Sequence, residues 1–340
     1  MTPHNRIILI GFIILPFICL SQKNTNTEPS LIHKSPSTYK TPIDCSVLSS
    51  TTLYVDSSVV NGLQSGLSWD DAFIDLSTAL RSAKVCPGGV DSILVGKGTY
   101  YPQDSLGFLP SEPMNMSFTL TDSLVLLGGF DPSGGVTTLG QRDWETYRTV
   151  LSGDLLQNDS TDYHILYDID DNLEREDNAR HIIDQTHCPL SLATTIDGFY
   201  FTGGNAEGDE FEEENGGAML LIDASPTIRD CEFIYNSADE EGGAIFGNTL
   251  SAPHFARVTF VNNFADDDGG AILNKDSMYF DDCVFEHNIT DDDGGAICSD
   301  SSAFTYIVNS YFLFNDAYEE GGAIYSDYGS FLHVDSSIFS

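Results

Sequence analysis

The tripeptide Gly-Gly-Ala occurs five times between residues 216 and 323, and this repetition constrains the fold more than any other feature. The copies begin at Gly216, Gly242, Gly269, Gly294 and Gly321, so successive copies lie 26, 27, 25 and 27 residues apart. A Phe-x-x-Asn motif begins nine residues before each of the last four copies, at 233–236, 260–263, 285–288 and 312–315. A fixed period of this length indicates a solenoid, in which each repeat buries its apolar face only against its neighbours.

Each repeat contains three short apolar stretches and no helical periodicity. One strand ends at Phe-x-x-Asn, an acidic turn and Gly-Gly follow, and a second strand begins at Ala-Ile, or at Ala-Met in the first repeat. Three short strands in about 26 residues fit one coil of a parallel β-helix, whereas leucine-rich repeats need a leucine ladder that is missing here. The third stretch lies at Ser225–Ile228, His254–Phe255, Met278–Phe280, Phe304–Ile307 and Phe331–Val334.

The two motifs have a structural explanation in such a fold. Equivalent residues of successive coils would lie above one another at a strand separation of about 4.8 Å. The motif phenylalanines, with Phe339 as the fifth, are therefore expected to form a buried aromatic column. The motif asparagines are expected at a bend, where a carboxamide donates to one coil and accepts from the other. The paired glycines would permit a positive φ at a sharp corner.

The chain divides into three segments. His4 and Arg6 precede an apolar run, Ile7–Leu20, which is too short for a membrane span and is typical of a signal peptide over residues 1–21. Residues 22–50 have the composition of a flexible leader. Residues 51–340 form the predicted β-helix, with irregular coils over 51–200 and regular repeats over 201–340. Because the sequence stops within a further Phe-x-x-Asn motif, we expect it to be a fragment of a longer protein.

One helix is predicted, at the N-terminal end of the solenoid. Apolar residues recur at helical spacing between Trp69 and Ala83, Ser68 and Asp71 resemble a capping box, and Cys86-Pro87-Gly88-Gly89 ends the segment. Such an amphipathic helix would cap the open end of the strand stack. Further strands are predicted at Ser92–Val95, Ser117–Leu127, Thr149–Leu151, His181–Ile183 and Thr195–Phe201, with loop insertions around 134–147, 155–178 and 205–215.

Six cysteines follow the signal segment. Cys231 and Cys283 occupy equivalent places two coils apart, too far for a disulfide. Cys45 and Cys86 are a candidate pair, although the sequence does not fix the pairing. The chain has no Cys-x-x-Cys motif, which argues against a zinc site.

Gly-Gly-Ala-Ile and Phe-x-x-Asn in fixed phase resemble the repeat of the polymorphic outer membrane proteins first recognised in chlamydiae. The resemblance covers about Phe199 to Ser340. The segment 53–101, together with Leu127-Gly128-Gly129-Phe130 and Leu151-Ser152-Gly153-Asp154, resembles pectin-lyase-like β-helix surface proteins. These families imply an all-β, right-handed parallel β-helix, a location on the cell outer membrane surface or in secretion, and frequently adhesion. Their partners would be host or neighbouring cell surfaces, or glycans.

The turn before each Gly-Gly is acidic, and this feature exceeds what a scaffold needs. Stacked coils would bring these like charges within about 5 Å. Two interpretations remain open: calcium bridges adjacent coils, or the acids form a solvated face. The solvated face is favoured because the spacing matches neither an EF-hand loop nor a Gly-Gly-x-Gly-x-Asp calcium repeat. The candidate calcium ladder comprises Asp239, Glu240, Glu241, Asp266, Asp267, Asp268, Asp291, Asp292, Asp293, Glu319 and Glu320.

Charge and motif content restrict the possible functions. The net charge of −38 disfavours nucleic acid and anionic lipid as partners. No catalytic motif or cofactor site is recognisable, and five histidines are scattered and expected at the surface or in turns: His181, His187, His254, His287 and His333. We therefore expect an exported structural or adhesive protein without catalysis. The alternative is a calcium-dependent polysaccharide lyase or another carbohydrate-active enzyme, since the pectin-lyase-like fold hosts many of them.

Overall fold

Four stacks of parallel strands run along the molecule, as seen in a computed structural model that describes residues 45–48, 51–103, 113–159, 175–186, 188–208 and 210–340. Every paired strand is parallel to its neighbour, and each stack takes one strand from each coil that contributes to it. Together they confirm the all-β, right-handed parallel β-helix.

The two longest stacks hold the strands on either side of the corner that precedes Phe-x-x-Asn. Sheet 1 has nine strands: Thr52–Val55, Ser92–Gly96, Val125–Phe130, Thr195–Asp197, Thr227–Arg229, His254–Ala256, Ser277–Asp281, Phe304–Val308 and Phe331–Asp335. Sheet 2 has eight strands: Gly98–Tyr100, Thr149–Ser152, Tyr200–Thr202, Glu232–Ile234, Thr259–Val261, Val284–Glu286, Tyr311–Leu313 and Ile338–Phe339.

The other two stacks flank the acidic turns. Sheet 3 lies before the turns and has five strands: Asn205–Ala206, Ser237–Ala238, Phe264–Ala265, Ile289–Thr290 and Asp316–Ala317. Sheet 4 lies after them and has six strands: Ile183–Gln185, Met219–Leu221, Ile245–Gly247, Ile272–Asn274, Ile297–Ser299 and Ile324–Ser326. A regular coil therefore has four strands rather than the predicted three, because the two residues after Asn also pair between coils.

The sequence period translates into an exact vertical register of side chains. Phe233 pairs with Phe260 and Ile245 with Ile272, so identical residue types lie above one another in the core. The predicted aromatic column is confirmed as a buried stack from Phe233 to Phe312, and Phe201 extends it by one residue at the N-terminal side. Phe339 stacks on Phe312 as predicted, but it is 49% exposed rather than buried. Successive ring centroids from Phe201 to Phe339 are 4.5 to 5.0 Å apart, and adjacent rings are stacked nearly parallel to one another.

The motif asparagines form the predicted hydrogen-bonded ladder. Asn263 Nδ2 donates to Asn288 Oδ1 at 2.9 Å and to the Phe233 carbonyl at 3.0 Å. Its Oδ1 accepts from both the backbone N–H and the Nδ2 of Asn236, each at 3.1 Å. Asn236, Asn263 and Asn288 are buried, so the ladder satisfies polar groups that burial would otherwise leave without partners.

The two glycines of each Gly-Gly have different roles, which the sequence analysis did not separate. Gly242 has φ +69°, a left-handed conformation that favours glycine. Its neighbour Gly243 has no positive φ, but a Cβ there would lie 2.1 Å from the Phe264 carbonyl oxygen of the next coil. The second glycine is required because adjacent backbones approach closely at the corner.

The predicted helix begins later than its sequence pattern indicated. Helix α1 spans Leu76–Val85, and Asp75 caps it by accepting a hydrogen bond from the Thr78 N–H. Ser68 instead closes a turn by accepting from Asp71 N–H, and Phe73 forms a parallel bridge with Val55. The prediction of a helix start at Ser68 was wrong because the Phe73 N–H donates to the Tyr54 carbonyl and the Phe73 carbonyl accepts from the Asp56 N–H, which leaves this residue outside any helix. The helix contacts the edge strand Thr52–Val55, but its role as an end cap stays a prediction.

Three further strand predictions need correction. The strand predicted at His181–Ile183 begins at Ile183 and continues to Gln185. Within Ser117–Leu127 only the end is a strand, Val125–Phe130, while Phe118 makes an isolated bridge to Ile183. The run Thr195–Phe201 divides into two strands of different sheets, because the chain turns a corner at Gly198, whose φ is +83°. The pair Asp197-Gly198 marks this corner, and Phe199, which follows it, faces the core.

The cysteine predictions are confirmed where they can be compared with the structure. Cys45 and Cys86 form a disulfide, which ties the segment before the first strand to the end of α1. Cys231 and Cys283 are buried free thiols. The predicted signal peptide and most of the leader lie outside the described residues. Among the residues that are described, no helix is long and apolar enough to cross a membrane.

Candidate functional site: the acidic turns

The acidic turns connect sheet 3 to sheet 4 and stack on one another through their backbones. Asp267 N–H donates to the Glu240 carbonyl at 3.0 Å, and Glu319 N–H donates to the Asp292 carbonyl at 3.1 Å. Each turn then enters a Gly-Gly corner. Because these backbone bonds fix the coil-to-coil spacing, they also bring acidic side chains of neighbouring coils together.

Side chains just before Gly-Gly join adjacent coils directly. Asp268 Oδ1 accepts from the backbone N–H of Asp293 at 3.1 Å, and Asp293 Oδ1 accepts from that of Glu320 at 2.8 Å. In the first repeat Asn215 has this role, with its Oδ1 3.0 Å from Glu241 N. The acidic column therefore has a structural function in part, because its oxygens satisfy donors at the corner.

Only part of the predicted calcium ladder is brought together closely. One carboxylate oxygen from each of Asp292, Asp293 and Glu319 lies within 4.8 Å of the other two. Within the described chain, no other group of three acids, histidines or cysteines meets this distance. The predicted positions outside the group are Asp239, Glu240, Glu241, Asp266, Asp267, Asp268, Asp291 and Glu320. Calcium binding by this edge stays a prediction.

Several carboxyl groups of the acidic turns have raised pKa values. Burial, with added repulsion from Glu241, Asp292 and Asp293, raises the pKa of Asp268 to about 6. Burial and neighbouring carboxylates also raise the pKa of Glu240, and the Asp292 charge raises that of Glu319. Raised carboxyl pKa values mean that the fold disfavours the ionised form at these positions.

A second apolar column lies next to the acidic turns and explains why some of their carboxylates are partly buried. The middle residues of the sheet 4 strands point away from the main core and form a separate buried cluster of Leu220, Phe246, Leu273 and Cys298. Phe211, from the acidic insertion before the first Gly-Gly, contacts Phe246 edge-on at 5.5 Å between ring centroids. The Cys298 thiol has a raised pKa, mainly through burial and then through the charge of Asp268. The acids therefore border an apolar surface rather than open water.

Lys275 gives the acidic turns one counter-charge from the protein itself. Its Nζ lies 2.6 Å from Glu241 Oε2 and 3.8 Å from Asp300 Oδ2. The same Nζ lies 5.2 Å from the ring centroid of Phe246 and 5.8 Å from that of Phe211. Sequence reasoning missed this residue because Lys275 follows a strand one coil beyond Glu241, and only the vertical register shows that the two meet.

His181 also departs from its predicted place. It is buried, and its two ring nitrogens lie 3.0 Å from the Gly216 carbonyl and 2.7 Å from the Glu212 carbonyl. It therefore anchors the first acidic turn through the backbone. His254 is half-buried, while His287 and His333 are exposed; His187 lies outside the described residues.

Comparison with known proteins supports the repeat assignment. The family model of the Chlamydia polymorphic membrane protein repeat matches residues 230–248, 257–275 and 282–300. Each match runs from a corner after sheet 1, through sheets 2 and 3 and the acidic turn, to the end of a sheet 4 strand. No curated protein and no solved structure matches the chain. The chain thus carries repeats of a family associated with the outer membrane surface.

Proposed function

We propose that this carrier of polymorphic membrane protein repeats is an exported adhesive protein that binds a host or neighbouring cell through the outside of its β-helix. The family association supports a surface location. A solenoid also supplies a long exterior on which binding residues can be displayed without disturbing the core.

The observation that carries the adhesive part is the exposure of large apolar residues on the last coils. Phe304 is 48% exposed although a further strand lies beside it, and Phe331, in the same column, is 45% exposed. In the preceding coil this column contains a smaller residue, Ser277 beside Phe304. A soluble scaffold gains nothing from such residues, whereas exposed apolar surface frequently marks an interaction site.

The proposal is tested with beads that carry the chain from Gln22 onward. We expect these beads to adhere to cultured cells above the level of beads coated with heat-denatured protein. Adhesion equal to the denatured control on every cell type, host and bacterial, would contradict the function. Protease treatment of intact cells that make the protein tests its location, since a surface protein should be cleaved without lysis.

The enzyme alternative from the sequence stays a separate prediction. It requires that the chain degrade a polyuronate in the presence of calcium, which ultraviolet absorbance of unsaturated products would detect. The three basic residues of the region 207–340 are all in ion pairs: Arg229 with Asp197, Arg257 with Asp230, and Lys275 with Glu241. No observation therefore favours one of them as a catalytic base.

A further inference from the structure

An outward-facing column of sheet 1 changes its chemistry along the β-helix. Thr195 and Thr227 occupy this column in earlier coils, in register with His254. The next three positions are Tyr279, Tyr306 and His333. Threonine satisfies an outward β position, so the fold itself does not require the aromatic residues.

Together with its neighbours, this column forms a continuous surface that we call the aromatic face: Tyr279, Phe304, Tyr306, Phe331 and His333. Tyr279 and Tyr306 stack with ring centroids 5.0 Å apart. Tyr306 contacts Phe331 and His333 at 5.6 Å each, and Phe304 contacts Phe331 at 5.9 Å. Side chains alternate between the two faces of a strand. Phe280 and Ile307, which directly follow Tyr279 and Tyr306, are buried, so the two tyrosines point outward.

One ring of the aromatic face has an uncovered side. Phe304 is in register with Ser277 on the preceding strand, and its described ring contact is with Phe331 on the following one. The Ser277 hydroxyl donates to Asp276 Oδ1 at 3.1 Å, so the Asp276 carboxylate lies next to Ser277. The Leu250 N–H also donates to Asp276 Oδ2 at 2.7 Å. Phe304, Ser277 and Asp276 thus place an aromatic ring, a hydroxyl and a hydrogen-bonded carboxylate on adjacent coils, and we call this group the Phe304–Asp276 notch.

The part of the chain that carries the aromatic face is strongly acidic. Residues 276–340 contain thirteen Asp or Glu and no Lys or Arg. Asp276 lies at one end of the face, and Asp281 and Asp335 lie in one register column at the other end. None of these three carboxylates belongs to an ion pair with another described residue. The face is thus complementary to a cationic partner.

The chain already binds two of its own cations in this way. Lys275 sits over the Phe246 ring and against the Glu241 carboxylate. The Arg148 guanidinium lies 4.3 Å from the Tyr200 ring centroid, close enough to Glu232 to oppose the pKa rise that burial causes there. Aromatic rings combined with carboxylates attract ammonium and guanidinium groups through cation–π and Coulomb interactions.

We propose that the aromatic face docks a flexible Lys- and Arg-rich segment of a partner protein, with one basic side chain seated in the Phe304–Asp276 notch. This inference rests on the proposed adhesive function and gives it a partner chemistry. Charge complementarity favours a basic protein segment over an anionic glycan or nucleic acid, which the surrounding carboxylates would repel.

The test measures the affinity of the full chain for a fluorescent peptide of alternating Arg and Gly, with an alternating Glu and Gly peptide as the reference. We expect binding of the basic peptide alone, weakening as salt rises. Phe304→Ser, which restores the residue type found at Ser277, should weaken binding about tenfold. Tyr306→Thr, which copies the earlier column, should weaken it about threefold.

Tyr311→Thr is the matched control, because Tyr311 is an equally exposed aromatic residue on sheet 2. It should bind the peptide as the wild type does. Thermal melts confirm that each variant folds, and Tyr306→Thr keeps the test available if Phe304→Ser does not fold. Equal affinities for Phe304→Ser, Tyr306→Thr and Tyr311→Thr would overturn the docking site, as would selection of neutral glycans instead of the peptide.

The bead assay separates this inference from the adhesive function. If wild-type and Phe304→Ser beads adhere to cells equally, adhesion stands and the aromatic face is excluded as its site. If the peptide binds as expected but wild-type beads do not adhere, the binding site stands and the adhesive function fails. Loss of adhesion in Phe304→Ser, with retention in Tyr311→Thr, supports both.

Discussion

The asparagine corner and the acidic turn repeat with the same period, yet stacking has opposite energetic consequences in the two regions. At the corner each carboxamide both donates and accepts, so adding a coil satisfies the previous one. At the acidic turn each added coil brings another carboxylate beside its equivalent, and pKa values rise. Vertical repetition stabilises a solenoid only where the stacked group complements its own copy.

The largest loss of stability is expected from a substitution in the middle of the buried phenylalanine column. Phe260 is fully buried, with ring centroids 5.0 Å from Phe233 and 4.8 Å from Phe285. Phe260→Ala should lower the free energy of unfolding by about 3–5 kcal/mol, since it leaves a cavity between two rings. Denaturant unfolding measures this. The matched variant Phe314→Ala removes an exposed ring and should cost less than about 1 kcal/mol.

A smaller loss is expected at the asparagine corner. Asn263→Ala removes two donated and two accepted hydrogen bonds at a buried site, and should cost about 2–4 kcal/mol because neighbouring polar groups lose partners. Asn315→Ala, at a half-buried place in the same ladder, should cost less because water replaces some of the bonds. Equal losses in the two variants would contradict the role of burial.

At the acidic turn, removing a side-chain charge should raise the free energy of unfolding rather than lower it. Asp268→Asn keeps an oxygen for the Asp293 N–H but removes a disfavoured charge. We expect it to stabilise the chain at neutral pH by on the order of 1 kcal/mol, after allowance for solvent screening. Glu286→Gln, a neutralised acid on the outside of sheet 2, is the control and should change stability little. Destabilisation by Asp268→Asn would show that its charge supports the fold.

The smallest effect concerns the calcium prediction. If calcium bridges the coils, millimolar calcium should raise the melting temperature relative to chelator, because only the folded chain presents the ligands together. Asp293→Asn should reduce that rise, since Asp293 belongs to the close group with Asp292 and Glu319. Identical melts with calcium and with chelator would leave the acids as a solvated face.

The sequence predicted the columns well because their period is local and strict. Phe-x-x-Asn and Gly-Gly fix which residues lie above one another, and the observed pairing of Phe233 with Phe260 follows directly. Corners formed by residues other than glycine were not visible. Tyr235, Asn262, His287 and Phe314 all have positive φ at the third position of the motif. Asn and His adopt this conformation more readily than most residues, but Tyr and Phe do not, so the residue types share no signal for it.

The candidate sites were predicted less well, because they depend on contacts between coils on the outside of the stack. The acidic turns were recognised, but Lys275 was not assigned to Glu241, and the apolar column beneath the acids went unnoticed. Each of those residues looks ordinary within its own repeat. Their contacts depend on the register between strands of neighbouring coils. Where coil lengths vary, the sequence period gives that register only to within one or two residues.

The central claim is that stacking stabilises the asparagine corner but destabilises the acidic turn. Its most direct test is the pH dependence of the free energy of unfolding for the wild type and Asp268→Asn. The pKa of Asp268 is about 6 in the fold, against about 3.9 for an ordinary Asp in the unfolded chain. Its contribution to stability is therefore fully present below about pH 4 and is lost as the pH rises through about 6. We expect the free energy of unfolding to rise as the pH falls from 7 to 5, and to rise less in Asp268→Asn. A fall in stability over this range, equal in both proteins, would contradict the account.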